Sequence, residues 1–394
     1  MKRNSCKQSI KVGTEKCLLF GVSPKLTAYP KLSTNTNYLN CMHILLLNFL
    51  FLLIVGFICS YPKPTMDKTK IFVCLCFILL LFFRTFVDIQ SVPDLEAYSW
   101  GYDQIRNISF SKLATASIYD VKISEIGFRY LMKLCGIISP SFTFFLFAFG
   151  VLWLIGYIKV INSYSPYIIL SLILLVIGAY NQSIFVIRQH LAMVVVFLSY
   201  KYIIEKKCAK YLLVIATAFL LHQTAIVILP LYFLYHVRGK KKIILSIIGA
   251  AILLYHSFSY MLVSVGNNML QGYSSYVNSD QKTNMTGAII VALNLFVYSY
   301  TLKKNILSDG INRVLFLSLI LGFLISLCGT GFVGTNRLVM YYTSVSFLAI
   351  PIMAKYAKNK ISRYMIISFF ILLNAFAAFT GSGFDSLIDF RLDL

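Results

Sequence analysis

Long runs of apolar residues, separated by short polar segments, dominate the chain from residue 42 onward. The hydrocarbon core of a bilayer is about 30 Å thick, so a helix that crosses it needs roughly 20 mostly apolar residues. A helix satisfies its own backbone hydrogen bonds in lipid, which makes it the form expected for such runs. The pattern predicts an all-α, polytopic integral membrane protein with about twelve spans. The predicted spans are residues 42–60, 71–87, 141–161, 167–182, 184–204, 211–222, 224–236, 243–264, 287–302, 314–333, 338–354 and 364–380.

Residues 211 to 237 are long enough for one span, but we interpret them as a hairpin of two short helices. Basic clusters flank the region on both sides, and Pro230 interrupts it. Both features favour two crossings over one. The turn then falls at residues 221–224, which brings His222 close to the outer face.

Two longer polar segments lie between spans, a loop at residues 88–140 and a second at residues 266–286. Inside the first loop, apolar residues recur at the i, i+3, i+4, i+7 spacing of one helix face. This spacing predicts a short helix that lies in the plane of the membrane interface. The residues of its apolar face are Phe128, Leu131, Met132 and Cys135.

The chain divides into a polar, basic tail at residues 1–41 and a single transmembrane domain at residues 42–394. The tail lacks the apolar core of a signal peptide. Its lysines would lie on the periplasmic side if the first helix enters the membrane from the periplasm, which conflicts with the positive-inside rule. Two explanations remain open: translation begins at Met42, directly before the first apolar run, or one span is miscounted. We favour the start at Met42.

Composition excludes a soluble domain. Hydrophobic residues make up 58% of the chain and charged residues only 13%, against about 25% charged in soluble domains. The nine cysteines lie mostly inside apolar runs, without paired spacing. No metal site or disulfide framework is therefore expected.

The net charge of +22 would indicate nucleic acid as a partner if the protein were soluble. Here the lysines and arginines lie mainly in short loops that alternate along the chain with uncharged or acidic ones. By the positive-inside rule the basic loops are cytoplasmic. Acidic residues gather in the 88–140 loop and at the C-terminus, so both should be extracytoplasmic. No nucleic acid is expected.

Three arginines lie close to the predicted outer face, where an ionisable residue in a span is a functional candidate. A guanidinium can direct two hydrogen bonds to one phosphate. Arg188 lies among polar residues at the start of a span, and the alternative is a simple interfacial anchor. Arg337 follows a glycine-rich segment, which could also be an ordinary turn. Arg84 could instead snorkel or pair with Asp88 four residues on.

His222 carries an imidazole whose ordinary pKa lies near neutrality, so it could exchange a proton. The alternative is a hydrogen-bonded structural histidine. No P-loop, dinucleotide fingerprint, nucleophile elbow or zinc-protease motif occurs in the sequence. We therefore expect no cofactor, no metal and no ATP-driven transport.

Several short segments, taken in order, resemble the EpsG family of Wzy-type polysaccharide polymerases, which includes O-antigen polymerases. The likeness covers most of the chain after Met42 and is strongest over residues 184–230. The segments are Arg84 with Asp94 and Tyr98, then Glu125-Ile-Gly-Phe128, Ile187-Arg188-Gln189-His-Leu-Ala192, Leu221-His222-Gln-Thr-Ala225, and Arg337 with Tyr341.

The resemblance implies a membrane glycosyltransferase of GT-C-like architecture in the bacterial inner membrane, with its active site facing the periplasm. Its substrate would be an undecaprenyl-diphosphate-linked oligosaccharide, and a protein that regulates chain length would be a further partner. Membrane lipid surrounds such a protein.

The resemblance also implies roles for individual residues. Arg188, Arg337 and Arg84 would stabilise the leaving diphosphate, with Arg188 the first choice. His222, Asp94 and Glu125 are the candidates for the base, and they remain unranked. Tyr98, Gln189 and Tyr341 would contact the acceptor or its sugars.

Two other functions stay open. A transporter or flippase would carry a lipid-linked or anionic solute without chemistry, and inverted repeats would favour it. A ligase that transfers finished O-antigen to the lipid A core would share the topology and the arginine and histidine residues.

Overall fold

The computed structural model describes residues 38–61, 63–116, 125–237, 286–308, 310–328 and 335–380, and every regular element within them is helical. The predicted span at 243–264, the 266–286 loop and most of the 1–41 tail lie outside these residues. In chain order the α-helices are α1 (Tyr38–Ser60), α2 (Met66–Thr85), α3 (Pro93–Asn107), α4 (Ile126–Ile138), α5 (Phe142–Tyr164), α6 (Ile168–Leu175), α7 (Asn181–Phe185), α8 (Ile187–Ile204), α9 (Cys208–Leu221), α10 (Leu229–His236), α11 (Thr286–Leu302), α12 (Ile311–Cys328), α13 (Thr335–Thr343), α14 (Ser346–Lys355) and α15 (Lys360–Thr380).

The apolar runs of the described part coincide with these helices to within a few residues. A π-helical turn, Val176–Tyr180, joins α6 to α7, and Ile168–Phe185 then counts as one continuous span. Among the described residues, five helical segments are long and apolar enough to cross a bilayer, and five shorter apolar helices accompany them. Within the described residues the prediction of an all-helical fold is confirmed, and the apolar helices support a membrane protein. The count of twelve spans and the side of each loop stay predictions.

The interior is built on aromatic rings and on close helix contacts. Trp153, Tyr157 and Phe347 are almost completely buried where α5 meets α14, and the rings of Tyr157 and Phe347 lie 5.2 Å apart. A Cβ atom on Gly156 would come within 2.1 Å of Val194 on α8. Small residues at such positions let helix backbones approach each other closely. Such close packing matters in lipid, because burial of apolar groups contributes little to helix association there.

The apolar face of α4 is covered by neighbouring helices and not by lipid, so that part of the prediction was wrong. That the helix lies in the plane of the membrane interface stays a prediction. Phe128 and Met132 are fully buried and Cys135 is nearly so. The ring of Phe128 packs 5.8 Å from both Tyr98 on α3 and Phe145 on α5. The predicted helix is present, but apolar spacing cannot tell whether lipid or neighbouring helices cover an apolar stripe.

The predicted hairpin is present. The chain runs through α9, turns at His222, and returns through the 3-10 helix Gln223–Ile228 into α10, where Pro230 occupies the first turn. The hydroxyl of Tyr211 donates to the Ile228 carbonyl at 2.8 Å and ties the two arms together. His222 is buried at the turn, with 2% of its surface exposed.

Candidate functional site

The buried carboxylate of Glu125 contacts side chains from two other parts of the chain. Glu125 lies directly before α4, and its side chain is 4% exposed. One carboxylate oxygen, Oε2, forms an ion pair with Nη1 of Arg188 on α8. The other, Oε1, lies 2.8 Å from Nδ1 of His222 at the hairpin turn. We call Glu125, Arg188 and His222 the charged cluster.

Arg188 is held on a second side by α3. Its Nε donates to the hydroxyl of Tyr98 at 2.9 Å, and its guanidinium carbon lies 5.4 Å from the centre of the Tyr98 ring. The side chain is 19% exposed. Contacts on Nε and Nη1 fix the plane of the guanidinium, which sets the direction in which it can direct further hydrogen bonds.

The electrostatics of the charged cluster favour an ionised carboxylate beside a neutral imidazole. Burial opposes the charge on Glu125, but the hydrogen bond from His222 and the charge of Arg188 outweigh it and lower the pKa of Glu125 to about 2. Burial lowers the pKa of His222, and the hydrogen bond to Glu125 offsets only part of that change. Because a carboxylate only accepts, Nδ1 of the neutral ring carries the proton and Nε2 carries the lone pair.

Helix α13 brings the last sequence-predicted residues to the same place. The Gln189 side-chain amide donates to the Arg337 backbone carbonyl, and the charge of Arg337 is close enough to lower the pKa of His222 further. Tyr341 is fully buried, and its hydroxyl accepts a hydrogen bond from Thr224 at 3.2 Å, two residues after His222. The structure therefore brings the middle and the late motifs together.

Asp94 lies at the edge of this group. Its side chain is exposed on the first turn of α3, and its charge acts on the hydroxyl of Tyr98 one turn later. Of the three acidic or basic candidates for the base, Glu125 and His222 are in contact and Asp94 is separate from them.

Arg84 has different partners from the other two arginines. Only 2% of its surface is exposed, and Nη2 donates to the Ser183 hydroxyl. Its guanidinium carbon lies 4.6 Å from the Phe149 ring centre and 5.0 Å from that of Trp153. It neither snorkels nor pairs with Asp88. Its burial among rings favours packing of α2 against α5 and α7 over contact with a diphosphate.

Two residues that sequence reasoning did not single out help to position Glu125. A Cβ atom on Gly127 would lie 2.8 Å from the Leu220 carbonyl oxygen, so α4 touches the backbone of α9 just before His222. Arg129 donates to the carbonyls of Leu113 and Ala116, which holds the preceding loop against α4. Gly127 lies inside the motif that carried the resemblance, which was the available signal.

Within the described residues, no group of three or more histidine, cysteine, aspartate or glutamate side chains could hold a metal ion. Metal-independent chemistry stays an expectation.

The fold and the site define a multi-helix membrane protein in which a buried carboxylate links an arginine and a histidine from different helices. The chain belongs to the EpsG family, whose model matches residues 70–390. That family is associated with Wzy-type polymerase-like proteins, so the resemblance found in the sequence is confirmed, and a polymerase-like role in polysaccharide biosynthesis follows. No curated protein and no solved structure is significantly similar to the chain.

Proposed function

We propose that the protein joins oligosaccharide repeat units, carried on undecaprenyl diphosphate, into O-antigen or a similar surface polysaccharide. The reaction would take place at the periplasmic face of the inner membrane, where loop charge puts the 88–140 segment. The observation that carries the proposal is the contact of Glu125 with both His222 and Arg188. It combines a base and an anion-binding group in one place, as a transfer from a lipid diphosphate requires.

In the proposed reaction, Nε2 of His222 takes the proton from an acceptor hydroxyl on the incoming repeat unit. The hydroxyl oxygen forms a bond to the anomeric carbon of the growing chain as the bond from that carbon to the diphosphate oxygen breaks. Glu125 stabilises the imidazolium that results, as a carboxylate does when it orients a catalytic histidine. The proton then leaves to solvent, and undecaprenyl diphosphate is the second product.

Negative charge builds on the diphosphate as it leaves, and arginines fixed in advance stabilise it without rearrangement. Arg188 is the first choice because Tyr98 and Glu125 orient it. Arg337 supplies a second positive charge close to His222. In this proposal Gln189 positions the helix of Arg337, Tyr98 and Tyr341 line the acceptor side, and Asp94 lies near its entrance. Arg84 is assigned to packing.

The test begins with deletion of the gene and gel analysis of the surface polysaccharide. We expect the deletion strain to carry lipid A core capped by a single repeat unit, and the wild-type gene to restore the ladder of longer chains. Loss of all capping in the deletion strain would instead indicate a flippase or a ligase. A ladder that survives deletion would refute a polymerase role.

Arg188→Lys tests the diphosphate role directly. Lysine keeps the positive charge next to Glu125 but cannot direct two parallel hydrogen bonds, so we expect extension of repeat units to slow about 100-fold. The assay uses purified protein and lipid-linked repeat units extracted from the deletion strain. Arg313→Lys is the matched control, because Arg313 donates to the Val237 carbonyl at an exposed site. Equal rates for Arg188→Lys and wild type would remove Arg188 from the proposal.

Gly127→Ala tests whether helix contact sets the geometry of the charged cluster. The added methyl meets backbone atoms of Leu220, so α4 must move away from α9 and carry Glu125 away from His222. A misplacement of about 1 Å can lower a rate about 100-fold, and we expect a loss of that order in the extension assay. Gly136→Ala crowds the same helix against Arg106 instead, far from Glu125, and should keep the rate. Equal losses in both variants would contradict the prediction.

A further inference from the structure

A cavity of about 250 Å³ lies next to the charged cluster, bounded by α6, α7, α11, α12, α13, α14 and α15. Helix α13 stands between the two. It lines the cavity with Asn336, Val339 and Thr343. On another face of the same helix, the charge of Arg337 acts on His222, and Tyr341 accepts a hydrogen bond from Thr224, two residues after His222. The cavity and the candidate active site are therefore neighbours that share one wall.

The polar groups in the cavity are neutral amides and hydroxyls, which can both donate and accept hydrogen bonds. None of the described residues that line it is charged. Four polar side chains each donate a hydrogen bond to the backbone carbonyl four residues earlier in their own helix, which uses a donor and leaves the side-chain oxygen to accept. They are Asn294, Ser326, Thr343 and Asn374, at 2.9, 2.8, 3.2 and 2.7 Å.

Asn294 is the most informative of these four side chains, because its acceptor is unpaired. It is 4% exposed, and its Oδ1 has no hydrogen-bond partner among the residues that the structure describes. An acceptor left unpaired in a membrane-spanning helix is costly. A ligand that donates a hydrogen bond would remove this cost.

No described residue of the lining gives a diphosphate a positive counter-charge, which disfavours a diphosphate as the ligand. The neutral amides and hydroxyls instead fit the hydroxyls of a neutral sugar, which both donate and accept. The volume lies below the roughly 300 to 1,000 Å³ of sites for drug-sized ligands, which suits a single sugar ring. We infer that the cavity binds one neutral sugar residue of the lipid-linked oligosaccharide, separately from the charged cluster. The inference rests on the proposed polymerase function.

The backbone along one wall leaves room for such a ligand. The π-helical turn Val176–Tyr180 contributes Ile177, Gly178 and Ala179 to the lining. A Cβ atom on Gly178 would meet no atom within 4 Å, so the space next to it is open. Single π-helical turns occur often at functional sites.

Two variants test the inference by opposite means. Asn294→Leu removes the acceptor, and a lost hydrogen bond should raise the KM for extension of extracted repeat units roughly 3- to 10-fold. Gly178→Leu fills the cavity without a clash at its Cβ atom and should raise that KM about tenfold or more. Both should bind farnesyl diphosphate, a probe without sugar, as tightly as the wild type. Ser326→Ala is a milder variant should Asn294→Leu reduce the yield of folded protein.

Thr301→Val is the matched control. Thr301 also donates to a carbonyl of α11, that of Val297, but it does not line the cavity, so extension should be unchanged. Wild-type KM values in the cavity variants would overturn the inference and leave the polymerase proposal standing. Weaker binding of farnesyl diphosphate by Gly178→Leu would also overturn it, because the cavity would then hold the isoprenoid. Failure of the wild-type protein to extend repeat units would reject the proposed function itself.

Discussion

Glu125→Gln should lower the rate of repeat-unit extension about 10⁴-fold, the effect seen when a carboxylate that orients a catalytic histidine is neutralised. The change keeps the size of the side chain and removes one charge. Both partners of Glu125 are affected together, because His222 loses the carboxylate that stabilises its protonated form and Arg188 loses its counter-ion. Steady-state rates of extension by purified protein are the measurement.

The same variant should also lose stability at neutral pH. Removing one member of a buried ion pair costs about 3 kcal/mol or more, because the remaining charge stays buried. The pKa of Glu125 in the folded protein is about 2, below its ordinary 4.5. Its stabilising effect is therefore complete above pH 4.5 and is lost as the pH falls from 4.5 towards 2. The difference in melting temperature between wild type and Glu125→Gln should shrink over that range.

Glu205→Gln provides the control for both measurements. Glu205 pairs with Lys207 at 2.7 Å, but their side chains are 44% and 51% exposed. Exposed ion pairs contribute little to stability, so activity and melting temperature should match those of the wild type. Extension by Glu125→Gln within tenfold of wild type would show that the charged cluster does not perform the chemistry.

The helices of the described part could be predicted from the sequence because an apolar run of given length has few other outcomes in lipid. The surroundings of a helix could not. The apolar spacing of Phe128 and Met132 predicts a face covered by lipid at a membrane interface, whereas Phe128 packs between α3 and α5 and Met132 is fully buried in the protein. Apolar spacing reports that a face is covered and does not report what covers it.

The candidate site likewise has features that the sequence predicts and features that it does not. Arg188 and His222 could be selected because charged or titratable groups beside apolar spans are costly and therefore informative. Their contact through Glu125 could not be predicted from the sequence, since Arg188 and His222 lie 63 and 97 positions from Glu125. Arg84 satisfied the same sequence criterion and is enclosed by Phe149 and Trp153. A predicted position near the outer face does not decide which arginine contacts Glu125.

The charged cluster also explains why one carboxylate would serve two tasks. A lone buried histidine would lose its basicity by desolvation, and a lone arginine would turn freely on its long side chain. Glu125 opposes both effects, because it accepts from His222 with one oxygen and pairs with Arg188 through the other. This link makes proton removal and charge stabilisation depend on a single residue.

His222→Ala should slow extension about 10³-fold, within the range for loss of a general base. In the wild type the base must be neutral, and burial holds its pKa below the ordinary 6.5. The rate should therefore be constant around pH 7 and fall only when the pH drops below 6.5 by enough to protonate the ring. In His222→Ala this acid limb should disappear from the profile of kcat/KM against pH.

His236→Ala is the control for this experiment. His236 lies at the end of α10, where its Nδ1 is 2.7 Å from the Tyr232 carbonyl oxygen and its ring centre lies 4.3 Å from that of Tyr232. It carries the same titratable group without contact to Glu125, so its loss should leave the rate and the acid limb in place. An acid limb that persists in His222→Ala would assign the titration to another group. The base would then have to be sought elsewhere, with exposed Asp94 the next candidate to test.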